Sequence, residues 1–201
     1  MHPNPAFRQT PTERNLDFAR SRGFGILAVN GEAGPVLAHV PFLLSADASH
    51  ADLHLARSNP VIGAIPGPAV MAIGGPDAYV SPDWYGMADQ VPTWNYIAVH
   101  LRGTLTPLPA DSLRRHLEAL SAEFESRLAP KPAWTPGKMS DGVMDRMMRM
   151  ILPFRLTISS VEGTWKLNQN KPAGARAGVI AALGTTGTQG IATAMQDLPE
   201  D

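Results

Sequence analysis

The sequence has no cysteine at all. That rules out disulfide staples, thiolate metal sites and thiol nucleophiles, and it leads us to expect a reducing compartment, the cytoplasm. Charge of one sign is also missing. Seventeen Lys and Arg stand against eighteen Asp and Glu, a formal net charge of −1, so the basic excess typical of a nucleic-acid-binding domain is absent. No apolar run approaches the roughly 18 residues a membrane span needs, and MHPNPAFRQT shows neither the basic nor the apolar region of a secretory signal. The chain also lacks G-x-S-x-G, a P-loop and H-E-x-x-H.

What is present suits a β-rich domain. Hydrophobic residues make up 44% of the 201 positions, enough for a core, and the 19 prolines and 18 glycines are scattered as punctuation between short elements. Thr10-Pro11-Thr12-Glu13 opens a helix that Gly23 stops. Strands are predicted over 24–29, 36–44, 52–56, 70–73 and 96–105, with Asn30-Gly31 as a turn and Gly103 as a bulge. Leu113, Leu117, Leu120, Phe124 and Leu128 form one apolar stripe on a helix over 112–128. A second helix over 142–152, a strand over 154–158 and a short helix over 175–183 complete the order. Strands joined mainly by short turns favour an antiparallel barrel over a βαβ sheet. Gly23-Phe24-Gly25-Ile26-Leu27-Ala28 matches a dinucleotide fingerprint in letters only, since a helix precedes it and a strand follows. His50 and His54 would share a metal only on a helix, and here they enter a strand.

Three segments carry chemistry. In Leu53-His54-Leu55-Ala56-Arg57-Ser58-Asn59-Pro60 a strand ends in a turn that offers a guanidinium, a hydroxyl and the free N–H groups of a helix start. This is either a phosphate cradle or an ordinary turn with a surface arginine. Residues 78–96 hold five of the thirteen aromatics on two proline-pinned loops, which suits a planar ligand or a packed loop pair. In Val161–Lys171, Lys166 could oppose an anion or an electron-rich ring edge, while Gln169 and Asn170 offer both donors and acceptors.

HVPFLL, LHLARSNP, AYVSPDWY, VPTWNYIAVHLRG, EGTWKLNQNK and ARAGVIAAL together resemble the PaiB-like family, also called FMN-binding negative transcriptional regulators. The resemblance runs to about Leu183. It implies a mainly β protein with α elements: the antiparallel split β-barrel of pyridoxamine-phosphate oxidase type, with flanking helices. The implied layout is an FMN-binding domain over 1–183 with a helical insertion at about 110–152, followed by a polar, poorly ordered tail over 184–201. A homodimer with FMN at the subunit interface is implied too.

Carried over by position, the resemblance assigns the Arg57-Ser58-Asn59 turn to the phosphate and counts His54, Leu55 and Ala56, which lead into it, among the cofactor-binding residues. His39, Val40, Pro41 and Phe42 would line the flavin ring. Ser81, Trp84, Thr93, Trp94 and Asn95 would close the site, and Lys166, Gln169 and Asn170 would approach it. Trp165, Asn168 and Lys171 replace the aromatic, small and arginine positions usual in the last motif, and Ala38 stands where threonine is common; Lys171 keeps charge but loses the bidentate fork. A regulator, an FMN-dependent oxidoreductase and a haem-binding split barrel all remain open. Direct DNA binding is not favoured, since Arg114, Arg115 and Arg127 on the 112–128 helix are balanced by Glu118, Glu123 and Glu125.

Overall fold

The computed structural model describes residues 1–198. Helix α1 (Thr12–Arg22) is followed by strands β1 (Phe24–Gly31), β2 (Gly34–Leu44), β3 (His50–Ala56), β4 (Gly67–Val80) and β5 (Thr93–Pro107). Helices α2 (Ser112–Ser126) and α3 (Val143–Met148) precede β6 (Ile151–Lys166), and α4 (Ala173–Thr185) and α5 (Gln189–Gln196) end the chain. The six strands close into a barrel in the order β1-β2-β3-β6-β5-β4. The pairings β1–β2, β1–β4, β2–β3 and β3–β6 are all antiparallel. The expected mainly β split barrel with flanking helices is therefore the architecture.

The strands follow period-two burial. Along β2, Ala38, Val40, Phe42 and Leu44 turn inward, while Leu37 and His39 face out. Along β3, Ala51, Leu53 and Leu55 turn inward. Inward residues close the core because each fully buried Leu or Phe side chain contributes about 1.5–3 kcal/mol. Gly23 stops α1 in the left-handed region, at φ 55°. The β1–β2 hairpin pairs Gly31 with Gly34, so its tip is Glu32-Ala33, two residues beyond the expected turn.

Chain contacts divide the molecule into two compact units. One comprises 1–15, 73–99 and everything from 162 onward; the other comprises 16–72 and 100–161. In the second unit, Gly103 lets two strands approach closely: a Cβ there would lie 1.9 Å from the Thr157 carbonyl oxygen. The helical excursion between β5 and β6 is closed at its base, where the Leu108 N–H donates to the Pro153 carbonyl at 3.0 Å. In the first unit, α4 packs on α5 and on the 3₁₀ turn Pro82–Tyr85.

Several boundaries differ from expectation. β4 runs past the expected 70–73, through Gly74-Gly75-Pro76 to Val80, because the barrel gives it β1 and β5 as neighbours. β5 begins at Thr93, so Thr93, Trp94 and Asn95 lie on a strand and not on a loop. α3 ends at Met148 because 151–166 is claimed by β6. The segment expected as a poorly ordered tail contains α5, which buries Ile191, Ala192 and Met195 along one face. The end of that expected tail, 199–201, lies outside the described residues.

Candidate functional site

In the second unit, β3 turns Asp52 and His54 outward, beneath α2. Arg155 grips Asp52 with a fork, Nε and Nη2 donating at 2.7 and 2.8 Å. His54 Nδ1 lies 3.2 Å from His116 Nε2 with the rings edge to face. Burial lowers the pKa of both imidazoles. His116 is pushed to about 4, burial first and the neighbouring His54 second, with Asp52 opposing. His54 is thus engaged by α2.

Past Ala56 the chain turns, and Asn59 N–H donates to the Ala56 carbonyl at 2.9 Å. Asn59 Oδ1 accepts from Val61 N–H at 3.0 Å, capping the 3₁₀ turn that Pro60 opens. Arg57 is tethered at two points. Its backbone N–H donates to the Met150 carbonyl at 2.9 Å, and its Nε donates to the Arg149 carbonyl at 2.6 Å. Its two terminal nitrogens make no further bond among the described residues, and both Arg57 and Ser58 are exposed. An oriented guanidinium with its outer N–H groups open, beside a hydroxyl, has the chemistry to accept an anion. On β2, His39 is exposed and Pro41 half-buried. Val40, Phe42 and Leu55 are core side chains, 4%, 1% and 2% exposed, and leave only their backbone to offer a ligand.

In the first unit, Ser81 Oγ accepts from Asp83 N–H at 3.4 Å and caps the Pro82–Tyr85 turn. Trp84 is half-buried in that turn. Trp94 is 56% exposed and meets the exposed Tyr79 edge to face at 6.2 Å. Lys166 Nζ donates to Thr93 Oγ1, and burial lowers its pKa. Gln169 is spent on the fold: Oε1 accepts from Leu167 N–H at 2.8 Å, and Nε2 donates to the Trp165 and Ala6 carbonyls. Asn170 is exposed.

Two buried amides keep open polar atoms. Asn95 donates to the Met195 sulfur at 3.6 Å while its Oδ1 has no partner among the described residues. Asn168 is held left-handed at φ 61° and accepts from the Tyr85 hydroxyl at 3.3 Å, leaving its Nδ2 open. Sequence reasoning noticed Asn168 and Tyr85 but did not place either among the site residues. The available signal was the asparagine itself, which tolerates left-handed backbone better than most residues. Lys171 bonds Gln90 and lies 5.0 Å above the Tyr85 ring, so it packs inside the same group.

Residues 1–160 match the family described as "Putative FMN-binding domain". The chain belongs to this family. The flavin that this FMN-binding family names is the cofactor expected from the sequence. Among curated proteins, "Protease synthase and sporulation protein PAI 2" of Bacillus subtilis (strain 168) is 28% identical over 170 residues, 82% of this chain and 80% of the relative. A FAD- and haem-binding protein of Mycobacterium smegmatis superposes with a TM-score of 0.58 at 20% identity, covering 87% of this chain and 80% of its own. The flavocytochrome Anf3 of Azotobacter vinelandii gives 0.56 at 13%, covering 82% and 72%. At these identities the structures attest the fold, and this FMN-binding family shares it. No helix among the described residues is long and apolar enough to cross a membrane.

Proposed function

We propose that this flavin-binding split-barrel protein is a regulatory protein that holds FMN by its phosphate at the Arg57-Ser58 turn. The observation that carries the reading is the tethered, outward-facing guanidinium beside an exposed hydroxyl. A phosphate monoester carries close to two negative charges near neutral pH. The Arg149 and Met150 carbonyls fix Arg57 from behind, so its free edge meets the anion without first paying for order. Asn59 serves the phosphate indirectly, by holding the turn.

The family resemblance assigns Thr93, Trp94, Asn95 and Lys166 to the flavin, and their chemistry suits it: Trp94 exposes its face, Lys166 bonds Thr93, and Asn95 Oδ1 is open. Ser81, Trp84 and Asn170 belong to the same assignment. Bound FMN brings one- and two-electron redox chemistry, which the protein orients and tunes. The regulatory reading draws on the Bacillus relative, named for protease synthase and sporulation. We place the protein in the cytoplasm as a homodimer, its flavin at the subunit interface. The outward faces of β1 and β2 expose Phe24 and Leu37, 48% and 55% accessible, on a sheet surface that a second copy would cover.

Titration of the protein with FMN and riboflavin, read by tryptophan quenching, tests the phosphate assignment. Arg57→Ala should weaken FMN binding about tenfold to a hundredfold and leave riboflavin unchanged. Arg57→Lys should recover part of the loss. Equal FMN affinities for the wild type and Arg57→Ala would remove Arg57 from the site.

A further inference from the structure

A cleft of about 530 Å³ opens in the second unit beside the Arg57 turn. Ala56 and Ser58, the neighbours of Arg57, are part of its wall. The rest comes from Leu117 and Ser121 on α2, from Trp134, and from all five methionines between 139 and 150. None of its lining residues is charged. Charge sits next to the wall instead: Arg57 lies between Ala56 and Ser58, and Arg149 between Met148 and Met150, with the Arg57 Nε–H on the Arg149 carbonyl. Arg149 is exposed and makes no ion pair among the described residues.

This is an anion-binding rim beside a soft, uncharged cavity. Its volume falls within the roughly 300–1,000 Å³ of small-molecule sites. Methionines adapt their shape and make favourable sulfur contacts with aromatic rings. Trp134 is fixed in place through its backbone N–H, which donates to Glu125 Oε2 at 2.8 Å. Two hydroxyls, from Ser58 and Ser121, and the indole N–H of Trp134 are the polar side-chain groups on the wall. A ligand that suits both parts carries a phosphate joined to a flat, neutral ring bound mainly by stacking. Stacking of a nucleobase on an aromatic side chain needs little edge recognition.

We propose that this cleft receives the adenylate half of a flavin dinucleotide, so that the protein takes FAD as well as FMN. The inference rests on the assignment of the flavin phosphate to Arg57. From that anchor the second phosphate reaches toward Arg149, and the adenine enters among the methionines and Trp134.

Direct titration of the full chain with FMN, FAD and riboflavin decides it. FAD should bind about tenfold more tightly than FMN, roughly the worth of one stacked base. Trp134→Ala should remove that advantage and leave FMN affinity at the wild-type value. Met147→Glu is a second, independent variant at a position already 55% exposed; its carboxylate at the cleft should weaken FAD and spare FMN. If FMN binds in an Arg57-dependent way and FAD binds no better, the adenylate site is wrong and the phosphate assignment stands. If both variants weaken FMN and FAD alike, the cleft holds the flavin ring and the proposal is overturned. If neither flavin binds, the phosphate assignment and this inference fall together.

Discussion

His54 and His116 illustrate how a residue flagged for binding can serve packing. Their shared contact lies between β3 and α2, and burial holds both imidazoles neutral. A base whose pKa is depressed by folding favours the native state only while the unfolded chain is also neutral. Below pH 6.5 the unfolded histidine takes up a proton that folded His116 refuses until about pH 4. Stability should therefore be complete above pH 6.5, decline as the pH falls toward 4, and level off below that. His116 alone should give a slope of at most about 1.4 kcal/mol per pH unit. Urea unfolding at pH 7.5, 6 and 5 reads it, and His116→Gln should flatten it; a wild type equally stable across that range would show that the pair is not buried as described. At this scale the sequence was informative about type and poor about duty. It singled out Arg57, whose exposed turn is real, yet it offered no sign that Gln169 would be consumed by three backbone bonds: two close a local turn with Trp165 and Leu167, and the third, to Ala6, is set by the tertiary fold.

The secondary elements were legible where hydrophobic period and punctuation agreed. α1, with Pro11 before it and Gly23 after it, and the α2 stripe are cases in point. The strands were found but cut short, since Gly74-Gly75-Pro76 and Pro92 look like breaks until the barrel supplies neighbours. α5 was missed because its apolar face is only Ile191, Ala192 and Met195, in a segment otherwise polar and glycine-containing. Contacts between elements give a sharper expectation. α4 rests on the Pro82–Tyr85 turn at Gly178, where a Cβ would come within 2.4 Å of the Trp84 carbonyl oxygen. Gly178→Ala should destabilise the protein by about 1–3 kcal/mol, since backbone must shift to admit the methyl group. Gly174→Ala on the same helix meets nothing within 4 Å and should be neutral or slightly stabilising. Thermal melts that rank the two variants the other way would refute the packing.

For the whole molecule, the class of fold and the family could be read from the sequence, whereas the homodimer is an expectation that rests on family resemblance. Sedimentation at micromolar concentration should show a dimer. Leu37→Glu, which places a carboxylate on the exposed β2 face, should give a folded monomer whose Tm falls only by the stabilisation that dimerisation supplied, because nothing in the monomer core is touched. A wild-type monomer that retains FMN would sink the dimer. With a net charge of −1 and acidic residues interleaved along α2, the purified protein should show no sequence-specific DNA binding at physiological salt. A salt-resistant, sequence-dependent shift would restore a direct repressor. The bond from Leu108 to Pro153 has a different kind of consequence. The chain leaves the barrel after Pro107 and returns at Ile151 to nearly the same point. The stretch between is thus a cassette with its two ends side by side, and exchange of that cassette alone could re-specify what the protein recognises without redesigning the barrel beneath it.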